Sequence, residues 1–388
     1  IGLQRNTVLD ATANEPTFEA LTRDALFGVI AATQRKSGDT VWWDRNNVFI
    51  NGLAWATEKD PFRDNNEKNK TIITFAFGAG KDAAGKTLSY RLLWNKDDDT
   101  DKSIRATEWN ERHGPQGPVR LMNGDLVDFG GLKGEKASVL LAHYLWEAVA
   151  NIDFQNSGNV KTADLKYIVT NNQFMKDYWN DGEDWEYHFS EMPVEKGDKA
   201  QTGFTVFNQQ YENYSNNRLG AGSLGLYDTV HEIGHQLGLD HPWQEEEGAP
   251  YFPGATGEEE TGRGGLNQGV YSVMSYSYGW DGSYRPEDEG LPPPNFGSAI
   301  GPMALDIAAI QAIYGANMNY HTGNNVYTLP KTNGAGTGWM CLWDARGIDS
   351  IIAPTGTTSN CTIDLRAATL NPKDGSGAGG YISFVEGV

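Results

Sequence analysis

The chain has 388 residues, with 51 acidic against 31 basic side chains, a formal net charge of −20 and a pI near 4.7. That balance argues against a nucleic acid or an anionic membrane surface as partner. No apolar run approaches the ~18 residues of a membrane span, and the best, around Ser138–Ala150, is broken by His143 and Glu147.

The length accommodates one large domain and a smaller one with an ample core. The sequence begins at Ile1 with neither an initiator methionine nor a signal peptide, as a processed chain would. Thr17–Gln34 has helical composition, with Phe18, Leu21, Ala25 and Val29 spaced by three and four. Thr71–Phe77 is β-branched and aromatic and predicts the first core strand. Lys81–Lys133 is rich in Asp, Lys, Gly and Asn and reads as an insertion made of loops, with its acidic run Asp97–Asp101 solvated. Glu135–Asn151 predicts a long helix, Asp164–Val169 a strand and Thr202–Phe207 another. The last is expected to be the edge of the sheet, where unpaired amides bind an extended peptide as an added strand.

Between His231 and His241 the chain reads His-Glu-Ile-Gly-His-Gln-Leu-Gly-Leu-Asp-His. At roughly 100° per residue, His231 and His235 stand about 40° apart on one helix face, close enough to share one zinc ion. Glu232 falls about 100° further round, where it cannot ligate from the helix but can act as general base for a water at the metal. Leu226, Val230, Ile233 and Leu237 form a stripe on the opposite side that buries the helix against a core. Gly238 supplies the φ > 0 residue that ends the helix, so that His241 returns as third ligand. Three neutral ligands leave a position open, as a catalytic zinc requires and a structural one does not. A buried helix with incidental histidines is the competing reading; the glycine and the third histidine together weigh against it.

Beyond the third histidine, Gln244–Gln268 is glycine-rich and acidic, either lining the primed side of a cleft or a plain surface loop. Tyr271–Tyr276 reads Tyr-Ser-Val-Met-Ser-Tyr. Pro292–Pro294 is a stiff stretch leading to a helix over Met303–Tyr314, which Gly315 ends. From Ala316 the composition shifts to Gly, Thr, Asn and short apolar runs, which predicts β-structure. No helix-turn-helix, phosphate loop or internal repeat is present.

A long zinc motif followed by a methionine turn is the signature of the metzincins, and this chain resembles them at both. Within that clan it is most similar to the serralysins, secreted bacterial zinc endopeptidases. Pro242 directly follows the third histidine, the turn has the Ser-Val-Met-Ser-Tyr form, and Asp306–Asn317 matches that family's helix after the turn. The resemblance implies an α+β metzincin fold, with a twisted mixed sheet and helices about a cleft over residues 1–315 and a β-rich segment over 316–388. It implies one catalytic zinc on His231, His235 and His241, with Tyr276 as an extra ligand that leaves on substrate binding and hydrogen-bonds the developing oxyanion. Met274 would form an apolar floor, and Glu232 would carry a proton from water to the leaving amine. The resemblance implies too a secreted, extracellular, monomeric endopeptidase. Its partners would be a protein or peptide substrate along the edge strand near 202–207 and, as a further candidate, a protein inhibitor.

The family continues into glycine-aspartate nonapeptide repeats that bind calcium in a parallel β-roll. Gly375–Gly380 has the glycines without the aspartate, and the sequence ends at Val388, so the roll is expected to be missing from this chain. One calcium half-site is expected at the domain junction, from Gly323, Asp344 and Asp349 on matching positions. His321, Asn325 and Arg346 depart from the family's usual residues there, and two ordinary loop aspartates are the alternative. Cys341 and Cys361 lie in two strand-like runs and are expected to form a disulfide closing a loop of about twenty residues; two buried thiols are the alternative. His113, His143, His188 and His321 have no partner spacing and read as surface or core residues. Two rival functions remain: a catalytically silent binding protein and a calcium-dependent surface or adhesion module on the same scaffold.

Overall fold

The computed structural model describes residues 70–92, 103–179, 188–190, 203–211, 218–243, 251–258, 260–277, 296–358, 361–365 and 381–383, together with Leu53 and Tyr214. The helix expected over Thr17–Gln34, the run Asp97–Asp101, Pro292–Pro294 and Gly375–Gly380 lie outside these residues, as do parts of 244–268.

Strand β1 (Thr71–Phe77) forms where the sequence predicts one, because its side chains alternate between faces: Ile73 and Phe75 are buried while Ile72 is exposed. Residues 81–133 are more than a string of loops. They hold two antiparallel hairpins, β2 (Ser89–Arg91) with β3 (Ser103–Arg105), and β4 (Val119–Arg120) with β5 (Leu126–Val127). Ile104, Leu121, Met122, Val127 and Phe129 are buried, and the Trp109 indole donates to the Gly78 carbonyl at 2.7 Å, pinning the segment beside β1. Strands of two and three residues among turn formers show no alternation, which is why composition alone reads as loop.

Next come α1 (Glu135–Val149), β6 (Ile152–Asn156), β7 (Leu165–Thr170), α2 (Asn172–Trp179), β8 (Phe189–Ser190) and β9 (Phe204–Asn208). The main sheet runs β6-β1-β7-β9-β8, all parallel except β8, which is antiparallel to β9. This corrects the edge expected near 202–207. Strand β9 is paired on both sides and buried throughout, and among the described residues the edge beside it is β8. A two-residue strand has no period to read, so the sequence could not reveal the pairing that covers β9.

Helix α3 (Leu224–Gln236) packs on α1, where the Trp146 indole donates to the Val230 carbonyl at 3.2 Å. The stripe of Leu226, Val230, Ile233 and Leu237 is fully buried, as its spacing requires. Helix α4 (Ala304–Tyr314) is buried on every side, and its composition is apolar all round apart from Asp306 and Gln311. Together with the mixed sheet, these helices give the α+β architecture. No helix among the described residues is long and apolar enough to cross a membrane.

After α4 come β10 (Val326–Thr328), β11 (Trp339–Met340), β12 (Ser350–Ile352), β13 (Thr362–Asp364) and β14 (Tyr381–Ser383). Strands β10 and β12 pair in parallel, and β14 runs antiparallel between β11 and β13. Leu329, Trp339, Met340 and Trp343 join the same core as α1 and α3. This sheet overturns the expected Cys341–Cys361 bridge. Met340 and Ile363 pair with Ile382 from opposite sides, so the two cysteine-bearing segments stand two strand spacings, about 9.5 Å, apart. A disulfide needs Cα atoms within about 4.4–6.8 Å, and both cysteines are free. Cys341 instead packs as an apolar residue, its thiol pushed up to about 12 by burial and then by the Asp306 charge.

Candidate metal centre

The site starts from the way α3 begins and ends. Ser223 caps its N-terminus, its hydroxyl accepting the Leu226 amide. At the other end Gly238 adopts φ 96, a value that a side chain would strain. The Gly238 amide then donates to the His235 carbonyl and the Leu239 amide to the Gly234 carbonyl, both at 2.9 Å, the paired bonds of a Schellman stop. The same turn orients a ligand: the Leu239 carbonyl accepts from Nδ1 of His235 at 2.9 Å. The chain then returns over Asp240 to bring His241 to the helix.

His231, His235 and His241 form a buried cluster, their Nε2 atoms 3.0, 3.0 and 3.3 Å from one another. Nδ1 of His231 lies 2.8 Å from the Val273 carbonyl. A carbonyl only accepts, so Nδ1 of His231 and of His235 must carry the proton, and Nε2 of each presents a lone pair. Two lone pairs 3.0 Å apart cannot hydrogen-bond to each other; they repel unless a cation lies between them. Tetrahedral zinc with Zn–N of about 2.0–2.1 Å sets its ligand nitrogens about 3.3–3.4 Å apart, close to the spacing found. Burial, then the charge of His241, pushes His231 down to about 3 and holds His235 well below its ordinary value, so both are neutral donors at neutral pH. The three residues therefore fit zinc.

Glu232 is buried beside them, and its Oε2 makes no hydrogen bond among the described residues. Burial, then Asp228, raises its carboxyl to about 8; a cation on the imidazoles would pull it down again. Ser190 stands on the edge strand β8, where its hydroxyl lies 2.9 Å from the Glu232 carbonyl and 2.7 Å from Thr205 Oγ1. The sheet edge is thus fastened to the helix at this glutamate.

The methionine turn lies beneath the histidines. Met274 is fully buried, and its sulfur would stand 2.6 Å from any Cβ at residue 234, with Trp146 at 3.2 Å, so a side chain between the two helical ligands would displace Met274. Asp306, at the start of α4, accepts from Ser272 Oγ at 2.6 Å, from the Val273 amide at 2.7 Å and from the Met303 amide at 2.8 Å. Burial raises this carboxyl to about 7 against those bonds. The Tyr276 ring is 40% exposed and lies 5.5 Å from that of His231 and 4.8 Å from that of His241. Two residues here went unnoticed in the sequence. Asp306 reads only as part of a helix pattern, and Trp243, stacked on His241, carries no periodic signal at all.

The junction residues are brought together only in part. The Gly323 carbonyl and Asp349 Oδ1 face one space beside Gly347, where a Cβ would stand 1.9 and 2.9 Å from them. Asp349 Oδ1 also accepts the Asn325 amide at 2.7 Å. Asp344 is engaged by the Tyr327 hydroxyl and by the Arg346 amide. His321, the one described non-glycine residue with positive φ, joins this network, its Nδ1 2.8 Å from Tyr327 Oη and its Nε2 2.9 Å from Asp125.

Comparison with known proteins agrees with the geometry. Residues 133–251 match the Matrixin family, Peptidase_M10. The chain is 30% identical to a metallopeptidase AprA of Pseudomonas marginalis over 271 residues, 66% of this chain and 50% of the relative. It is 26% identical to a serralysin of Photorhabdus luminescens over 352 residues, 87% of this chain and 64% of the relative. It is 32% identical to serralysin C of Dickeya chrysanthemi over 204 residues, 50% of this chain and 38% of the relative. The chain thus spans between 38% and 64% of the length of these relatives. Sheet, ligand spacing, methionine turn and relatives agree: the chain carries a serralysin-like metzincin domain.

Proposed function

We propose that this chain is a secreted zinc-dependent endopeptidase that hydrolyses peptide bonds in extended polypeptides. The observation that carries the reading is the buried triad of convergent imidazoles beside a buried carboxylate whose Oε2 makes no hydrogen bond among the described residues. When bound, zinc supplies Lewis-acid chemistry, polarising the scissile carbonyl and making an attacking water more acidic. His231, His235 and His241 would hold it, and residues 1–315 form the peptidase domain in this reading. Glu232 takes the proton of the attacking water and returns it to the leaving amine. Tyr276, exposed beside the triad, donates its hydroxyl to the developing oxyanion. The substrate is held as an added strand on the sheet edge; with β9 covered, that edge is β8, which Ser190 ties to Glu232. The enzyme acts as a monomer in this reading, with a protein inhibitor as its candidate regulator.

Calcium at the junction is part of the same reading. The oxygens of Gly323 and Asp349 converge and Asp344 lies near, and hard oxygen donors suit that ion. A silent binding protein has no use for Glu232, and an adhesion module has no use for the zinc triad. Zinc content measured together with casein hydrolysis separates the three: zinc with hydrolysis supports the peptidase, zinc without it the binding protein, and neither the adhesion module.

A further inference from the structure

Trp243 follows Pro242 directly after the third histidine and is 6% exposed. Its indole lies flat on His241, ring centres 4.2 Å apart and planes 11° apart. Its ring centre is also 4.5 Å from that of Tyr276, the planes inclined at 57°. The indole is therefore a buried member of a three-ring cluster, and its companions are the equally buried third metal ligand and the exposed tyrosine. The backbone that carries it is anchored, since the Pro242 carbonyl accepts the amide of buried Phe252 at 2.8 Å.

An imidazole turns about χ2 in a broad well, and a metal ligand must hold one plane. His231 and His235 are oriented by the Val273 and Leu239 carbonyls; His241 is gripped by an aromatic face as well. A tyrosine with substantial exposure has wide rotamer freedom, which costs reach and timing unless a neighbour confines it. We propose that Trp243 is a positioning residue of the hydrolytic site, fixing the ring plane of His241 and confining Tyr276 so that its hydroxyl meets the substrate carbonyl. The proposal rests on the peptidase reading above. Trp243 touches no reacting atom; it acts through its two ring neighbours.

The test uses the full chain with Trp243→Ala, Trp243→Phe, Tyr276→Phe and the double variant Trp243→Ala/Tyr276→Phe. Cobalt(II) replacing zinc reports ligand geometry by its visible absorption without any turnover, and chelator competition gives metal affinity. Trp243→Ala is expected to lower kcat roughly 10–100-fold with KM within about threefold, and to shift the cobalt spectrum. Trp243→Phe, which keeps a flat face, should restore most of both. In the Tyr276→Phe background, Trp243→Ala should cost less than it does alone, because part of its effect runs through that hydroxyl. Should Trp243→Ala not fold, Trp243→Leu, which keeps bulk without a flat face, carries the same expectation. A folded Trp243→Ala or Trp243→Leu variant, which has no flat ring face, with unchanged kcat and cobalt spectrum would overturn the proposal, and so would full additivity with an unchanged spectrum. If the unmutated protein hydrolyses nothing, the peptidase reading fails, and the cobalt spectra still decide whether Trp243 holds His241.

Discussion

Asp306 holds the Val273 amide at 2.7 Å, and the carbonyl of that same Val273 holds Nδ1 of His231 at 2.8 Å. One buried carboxylate on α4 therefore fixes the methionine turn, and the turn fixes the tautomer and plane of the first ligand. Removing the acceptor strands the Val273 and Met303 amides inside the core. Asp306→Ala is expected to destabilise the fold by roughly 3 kcal/mol and to weaken zinc binding about 10–100-fold. Denaturant melts and chelator competition measure the two. Unchanged zinc affinity in a folded variant would mean that the turn holds His231 unaided.

The acid response should trace to buried histidines away from the metal. His143 stacks on Phe154 with its Nε2 2.7 Å from Tyr167 Oη, and burial pushes it down to about 3; His188 behaves likewise. Each stays neutral in the folded protein and charges on unfolding below its ordinary 6.5. The associated stability is thus complete above pH 6.5 and lost as pH falls from there toward 3. Each costs about 1.4 kcal/mol per pH unit in that window, or about 2 kcal/mol by pH 5. Glu135, raised to about 7 by burial, works in the opposite direction, so the test is a difference. Between pH 7 and 5, His143→Phe should lose about 2 kcal/mol less than the unmutated protein; equal losses would show that His143 titrates normally.

Tyr276→Phe removes one hydroxyl that acts chiefly in the transition state. The expected result is a kcat lower by about 10–10³-fold with KM little changed. A variant in which only KM moved would make Tyr276 a substrate-binding residue instead.

How much of this was legible follows from range. The ligand triad lies within eleven residues, so helical geometry and one glycine stop predict it, and β1, α1 and α4 are long enough to be read from composition, with Gly315 marking the end of α4. What the sequence could not show depends on distant pairing. Strand β8 covers β9 through two residues, β14 separates the cysteine segments, and the buried hairpins of 81–133 hide among turn formers. Asp306 and Trp243 matter only through partners brought close by the fold, on the methionine turn and the third ligand. The His321–Asp125 contact spans 196 residues, beyond any local pattern.

The central claim is that Glu232 is a base beside the metal and not a ligand to it. Zinc content and peptide hydrolysis of Glu232→Ala, measured on the same preparation, test it most directly. The account predicts one zinc per chain, as in the unmutated protein, with hydrolysis lower by about 10²–10⁴-fold or more. Loss of the zinc, or retention of more than a few per cent of the activity, would contradict it.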